Sequence, residues 1–373
     1  MFENTKALCE SFLSMGVPFF DLLVYKDGKE LFRHNGGYID VENKIPVKGD
    51  ELFNIYSCSK PITVTAAMQL WEKGLFDLED KLSKYMPEFE NMTVRQADGT
   101  TVPAKNPILI RNLFTMTAGF SYDLRSPWLM QLREDTQGRC PTREFARYLA
   151  KEPLYAEPGT EYRYSLGHDV LAALVEVISG EKFEDYTRKH IFEPMGMTRT
   201  DFLKSPDTYE EIATHYVFKE GKAQLRAKWP AYRLGTEHAS GGAGCVSTTE
   251  EYIRFLEGLR TCKLLKKETI DLIRQDWLND SEKKTYPLTA YYYGLGMRSR
   301  KPGSDHNDFG WGGAAGASLH IDMEHGISLF YVQHLLTSPN QAIRTRIYTA
   351  VLQDLGYNVE VEIPHKDANN LTY

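Results

Sequence analysis

The chain has 373 residues, a formal net charge of −7, and 42% hydrophobic and 25% charged residues, with a pI near 5.9. Those shares belong to a folded globular protein, and an acidic balance without a long basic block excludes nucleic acid and anionic membrane as main partners. Cys9, Cys58, Cys140, Cys245 and Cys262 are scattered and form no C-x-x-C pair, which excludes a disulfide framework or zinc cage and predicts a reducing compartment. Met1 to Lys6 has no basic region ahead of an apolar core, and no run is long enough to span a bilayer, so the expected location is cytoplasmic.

In chain order, Thr5 to Met15 has a helical pattern, and Phe19 to Tyr25 and Lys29 to Asn35 form a hairpin through Lys26-Asp27-Gly28. A helix begins near Ser57 and stops at Lys73-Gly74, a cation and a glycine suited to a C-terminus. Ile62, Val64, Ala67, Met68, Leu70 and Trp71 surround most of its circumference, so it is expected to be buried. From Phe76 to about Trp229, helical patterns such as Ile110 to Thr117 and Asp169 to Ser179 alternate with turn-rich loops, and strand signals are few. After Ser240-Gly241-Gly242-Ala243-Gly244, the order Ser247-Thr248-Thr249-Glu250 predicts a capped helix to about Arg260. Strands return over Tyr291 to Arg298, Ala317 to Asp322 and Ile327 to Gln333, and a helix over Asn340 to Leu355 closes the pattern. Strands at both ends with helices between predict an α/β (α+β) fold: one antiparallel sheet, built from 1–78 and 230–357 and flanked by helices. A mostly helical domain, 79–229, is inserted, and 358–373 is a tail.

Three stretches carry chemistry-bearing residues. Ser57 and Lys60 stand three positions apart, on one face, where the buried helix begins. A desolvated lysine is a neutral amine that can take a serine proton, although a capping Ser and a solvated Lys satisfy the same spacing. Tyr164, in Tyr162-Arg163-Tyr164-Ser165-Leu166-Gly167, directly precedes a helix. A phenol between a hydroxyl and an ammonium can relay protons, while a tyrosine that only covers the sheet fits the same sequence. Phe309-Gly310-Trp311-Gly312-Gly313-Ala314-Ala315-Gly316 allows close backbone approach by a ligand, and equally an ordinary glycine-rich turn.

Together, in this order and spacing, the three resemble the serine β-lactamase and penicillin-binding-protein superfamily, in which S-x-x-K, a Tyr motif and a glycine-bearing strand converge on one pocket. The likeness is to the class C β-lactamase-like branch, especially the family VIII esterases, and covers nearly the whole chain. It implies Ser57 as acylated nucleophile, Lys60 as proton acceptor, Tyr164 as acid–base partner, and the backbone N–H groups of Ser57 and Ala314 as oxyanion hole. Two departures alter the substrate: Tyr164-Ser165-Leu166 lacks the amide of Tyr-x-Asn, and Trp311-Gly312-Gly313 lacks the cation of Lys-Thr-Gly. Both point away from β-lactams and peptide C-termini, towards a small-molecule ester or acyl donor cleaved without metal or cofactor. Leu166, Trp311, Gly312 and Gly313 are expected to line the substrate site, with Tyr122, Trp128, Trp229 and Tyr232 as further candidate walls. Acyl transfer to an alcohol is the nearest alternative; weak β-lactamase or D-amino-acid peptidase action and a non-turnover sensor are more distant ones.

Other stretches read as structural. His320-Ile321-Asp322-Met323-Glu324-His325 lacks H-E-x-x-H spacing. Ser240 to Gly244 lacks the spacing of a dinucleotide loop and reads as a turn near the pocket rim. The Cys58 side chain is expected to point away from Ser57 and Lys60 as a packed thiol.

Overall fold

The computed structural model describes residues 1–202, 206–226 and 233–360. An eight-stranded antiparallel sheet is its spine, in the order Tyr291–Tyr293, Arg298–Arg300, Phe309–Gly312, Ser318–Asp322, Ile327–Val332, Phe19–Lys26, Lys29–Asp40 and Ile45–Pro46. Both chain ends supply strands, with Asp21 opposite Val332 where they meet. The first hairpin turns through Asp27 and Gly28 at φ 50° and 81°, the left-handed pair that matches the twist of the flanking strands. Helices Glu3–Ser14 and Ile347–Asp354 pack on each other, and Thr249–Arg260 packs on the central strands. Thr248 caps that last helix by accepting the Glu251 N–H at 3.1 Å.

The helix Ser59–Glu72 is buried on nearly every side and packs against Gly167–Ser179. Ser57 precedes it in a 3₁₀ turn, Tyr56–Cys58, rather than lying in its first α-turn. The expected strand over 291–298 is two strands. A Cβ on Gly294 would lie 1.8 Å from the Ile273 carbonyl oxygen, so the neighbouring helix, Lys267–Arg274, comes close enough to break the run. The closing helix is likewise two, Gln341–Arg344 and Ile347–Asp354. Within 79–229, two hairpins add to the expected helices: Thr93–Arg95 with Thr101–Pro103, and His215–Lys219 with Lys222–Arg226. The second hairpin also pairs in parallel with Leu335–Leu336.

Candidate active site

Ser57, Lys60 and Tyr164 meet at the start of the buried helix. The 3₁₀ turn that holds Ser57 runs straight into the α-helix that holds Lys60, so the two, three positions apart, share a face and Lys60 Nζ lies 3.2 Å from Ser57 Oγ. From the other side, the Tyr164 hydroxyl donates to the same oxygen at 2.7 Å. Lys60 is fully buried, and desolvation drives its pKa down from 10.5 to about 7 while the Asp169 carboxylate holds it up. Its Nζ also donates to the Gly242 carbonyl at 2.7 Å and lies 4.6 Å from the centre of the Tyr164 ring.

The glycine loop 240–244 is therefore not at the rim. It is buried behind Lys60, and a Cβ on Gly242 would stand 2.6 Å from Asp169 Oδ2. Asp169, in the first turn of Gly167–Ser179, is buried and accepts from Ser240 Oγ at 2.5 Å, and burial raises its pKa. Gly242 and Asp169 escape sequence reasoning. A carbonyl carries no residue signature, and an acid at a helix start reads as a macrodipole partner; the Val170 to Val175 apolar run after it was the available signal of burial.

The strand Phe309–Gly312 leads into the turn that carries Ala314. A Cβ on Gly313 would fall 2.5 Å from the Ile55 carbonyl oxygen, so only glycine lets this turn lie against the segment that carries Ser57. The turn closes through Gly313 N–H to Ala317 O and Gly316 N–H to Gly313 O, each 2.9 Å. Neither the Ser57 nor the Ala314 N–H donates to a backbone acceptor among the described residues.

An aromatic wall continues from Tyr164. Tyr122 stacks on it at 5.4 Å and 8°, Trp311 at 6.1 Å and 22°, and Tyr293 meets Trp311 edge-on at 5.4 Å. Tyr293 carried no expectation. Two expected wall residues are placed otherwise. Leu166 is 1% exposed in the core, its N–H given to Ser121 O, because it begins a helix whose apolar face is buried. Trp128 is half-exposed beneath Lys151 Nζ, 4.9 Å from its ring centre. Trp229 and Tyr232 lie outside the described residues. Cys58 is fully buried, and desolvation pushes its thiol up to about 12. His320 donates from Nδ1 to Asp308 Oδ2 at 2.6 Å within a buried cluster. Among the described residues no cluster of His, Cys, Asp and Glu is placed to hold a metal ion.

Residues 15–353 match the family model described as Beta-lactamase. The chain belongs to that family. Within it, the chain is 27% identical over 368 residues to Esterase EstB of Burkholderia gladioli, covering 90% of this chain and 89% of that one. It is 29% identical over 271 residues to Acyltransferase calJ of Penicillium decumbens, covering 67% and 63%. Among solved structures it resembles EstCE1, described as a hydrolase with promiscuous acyltransferase activity, with TM-score 0.78, 26% identity, and 94% and 97% coverage. The mixed α/β architecture with its large antiparallel sheet and flanking helices matches that likeness.

Proposed function

We propose that the protein is a serine hydrolase of small-molecule carboxylic esters, working through an acyl-enzyme on Ser57. The observation that carries this reading is the bracketing of Ser57 Oγ by a buried amine and a phenol. With the Tyr164 hydroxyl donating to Oγ, the single hydrogen of Ser57 is left to the Lys60 lone pair. Lys60, near pKa 7, takes it at neutral pH. Oγ attacks the ester carbonyl, and the oxyanion rests on the N–H groups of Ser57 and Ala314. The proton held on Lys60 returns through Tyr164 to the departing alkoxide, so the alcohol leaves and the acyl group stays on Ser57. Water, deprotonated by the same pair, then releases the acid and restores Ser57. Tyr122, half-buried and stacked on Tyr164, supplies an apolar face for the acyl or alcohol part, with the buried Trp311 and Tyr293 packed behind Tyr164 as its support.

Transfer of the acyl group to an alcohol in place of water is the second reading, favoured by the likeness to calJ. In our reading the sheet body is 1–78 with 230–357, and 79–229 is the inserted body. The five cysteines are unpaired, which supports a reducing, cytoplasmic setting; among the described residues no helix is long and apolar enough to cross a membrane. Incubation with p-nitrophenyl esters of graded chain length tests the function: sustained turnover is expected, and a single stoichiometric burst would point to a sensor. Ser57→Ala is expected to lower kcat on the order of 10³-fold or more; near-normal turnover in that variant removes the mechanism.

A further inference from the structure

Tyr56, immediately before the nucleophile, has φ 48°. The left-handed region is costly for a bulky side chain and persists only where the surroundings over-determine it. Here they do. The ring is 1% exposed and packs on Ala315 and Leu336. Its hydroxyl lies 3.1 Å from His215 Nε2, and His215 stacks on His334 at 4.4 Å and 19°. His334 donates from Nδ1 to Thr214 O at 3.1 Å and accepts the Asn54 N–H at Nε2 at 3.3 Å, which fixes its tautomer. Burial keeps the imidazole neutral at pH 7, with a pKa pushed down to about 4. From His334 the chain runs to Leu335, whose N–H donates to Ala315 O at 2.8 Å. The contacts thus form a ring from Tyr56 through His215, His334 and Leu335 to Ala315 and back to Tyr56. Ser57 follows one member of that ring, and Ala314 precedes another.

We infer that Tyr56, anchored by His215 and His334, is a positioning residue that sets the spacing of the two N–H groups of the oxyanion hole. This rests on the ester-hydrolase reading above. The phenol is the wedge between the two donor segments, and its hydroxyl keeps the strained backbone of the nucleophile turn from relaxing. Stabilisation of an oxyanion depends on donors already held where charge develops, so loosening the wedge lowers kcat and leaves ground-state binding alone.

The test uses the full-length protein with p-nitrophenyl butyrate, competent sites being counted by titration with a fluorophosphonate. Tyr56→Phe keeps the ring and removes the anchor. Its kcat per titrated site is expected to fall on the order of tenfold to a hundredfold, with KM within about twofold. His215→Leu should reproduce the fall, and His215→Gln, whose amide carbonyl can accept the phenol hydrogen, should recover most of it. A purely structural role would lower Tm and the titratable fraction while leaving kcat per site unchanged. That result, or equal kcat for the Leu and Gln variants, overturns the inference; if Tyr56→Phe does not fold, the His215 pair decides. Ser57→Ala separates the two levels. Its inactivity beside an unimpaired Tyr56→Phe removes only the positioning role, whereas turnover in Ser57→Ala removes the hydrolase reading.

Discussion

Gly313→Ala isolates the placement of Ala314, the second oxyanion donor of the proposed mechanism, from everything else in the site. The backbone at Gly313 is not left-handed, so alanine meets no conformational penalty there and acts only through its added methyl. That carbon would stand 2.5 Å from the Ile55 carbonyl oxygen, against 3.4 Å where ordinary contact begins. The obstacle is backbone on the nucleophile segment, not the end of a flexible side chain. The turn that carries Ala314 must therefore retreat from Ser57 by about 0.9 Å, and a displacement near 1 Å in a catalytic geometry costs on the order of 10²-fold. We expect kcat for p-nitrophenyl butyrate to fall by that order with KM little changed, since the lost contact is made in the transition state. Gly312→Ala is the comparison: its methyl would meet only the Ala317 carbonyl oxygen at 3.3 Å, so kcat should fall far less than in Gly313→Ala, any cost of crowding the substrate site appearing in KM. A Gly313→Ala enzyme with parental kcat refutes the assignment of Ala314 to the oxyanion hole.

Two pH predictions follow from the buried amine. In the proposed mechanism Lys60 acts in its neutral form, and its pKa is about 7, so kcat/KM should decline as pH falls through about 7, measured as a pH–rate profile in the free enzyme's limb; activity level down to pH 5 would contradict it. Asp169 holds the Lys60 pKa up, so Asp169→Asn should move that limb to lower pH, and a limb that moves upward or stays put would show that the carboxylate does not act on Lys60.

How much of this was legible in the sequence depends on range and on which atoms do the work. Ser57 and Lys60 are local, and Tyr164 carries a turn and a helix start around it, so pattern and spacing reach all three. The sheet built from both ends follows from strand periodicity on either side of a helical middle. The hairpin His215–Lys219 with Lys222–Arg226 escapes the pattern because its second strand mixes lysine, glutamine and arginine with Leu225, which is 64% exposed; little hydrophobic periodicity survives in such an edge strand. Tyr56 and His215 meet across 159 residues of chain, and nothing local marks either. Helix Ile110–Phe114 ends three residues before the expected Thr117, and Met116 just beyond its cap turns the chain away at φ 58°. There tertiary contacts override propensity.

Lys60 also shows what the site costs the fold. An amine with a pKa of about 7 in the folded chain and 10.5 unfolded binds fewer protons folded than unfolded between those values. This is the reverse of a lysine that gains a salt bridge: stability rises with pH across that window, and the penalty is fully present below pH 7 and gone above 10.5. At pH 7 it amounts to about 4 kcal/mol. Lys60→Met removes that penalty and keeps the apolar stem, but leaves the Gly242 carbonyl without its donor, a loss of about 1–3 kcal/mol. The balance favours the variant, so an inactive Lys60→Met protein should melt a few degrees above the parent at pH 7. Its advantage should shrink as pH approaches 10, as thermal melts at the two pH values would show. A variant less stable than the parent at pH 7 would mean that Lys60 is held charged, and would take with it the neutral-amine step on which deprotonation of Ser57 depends.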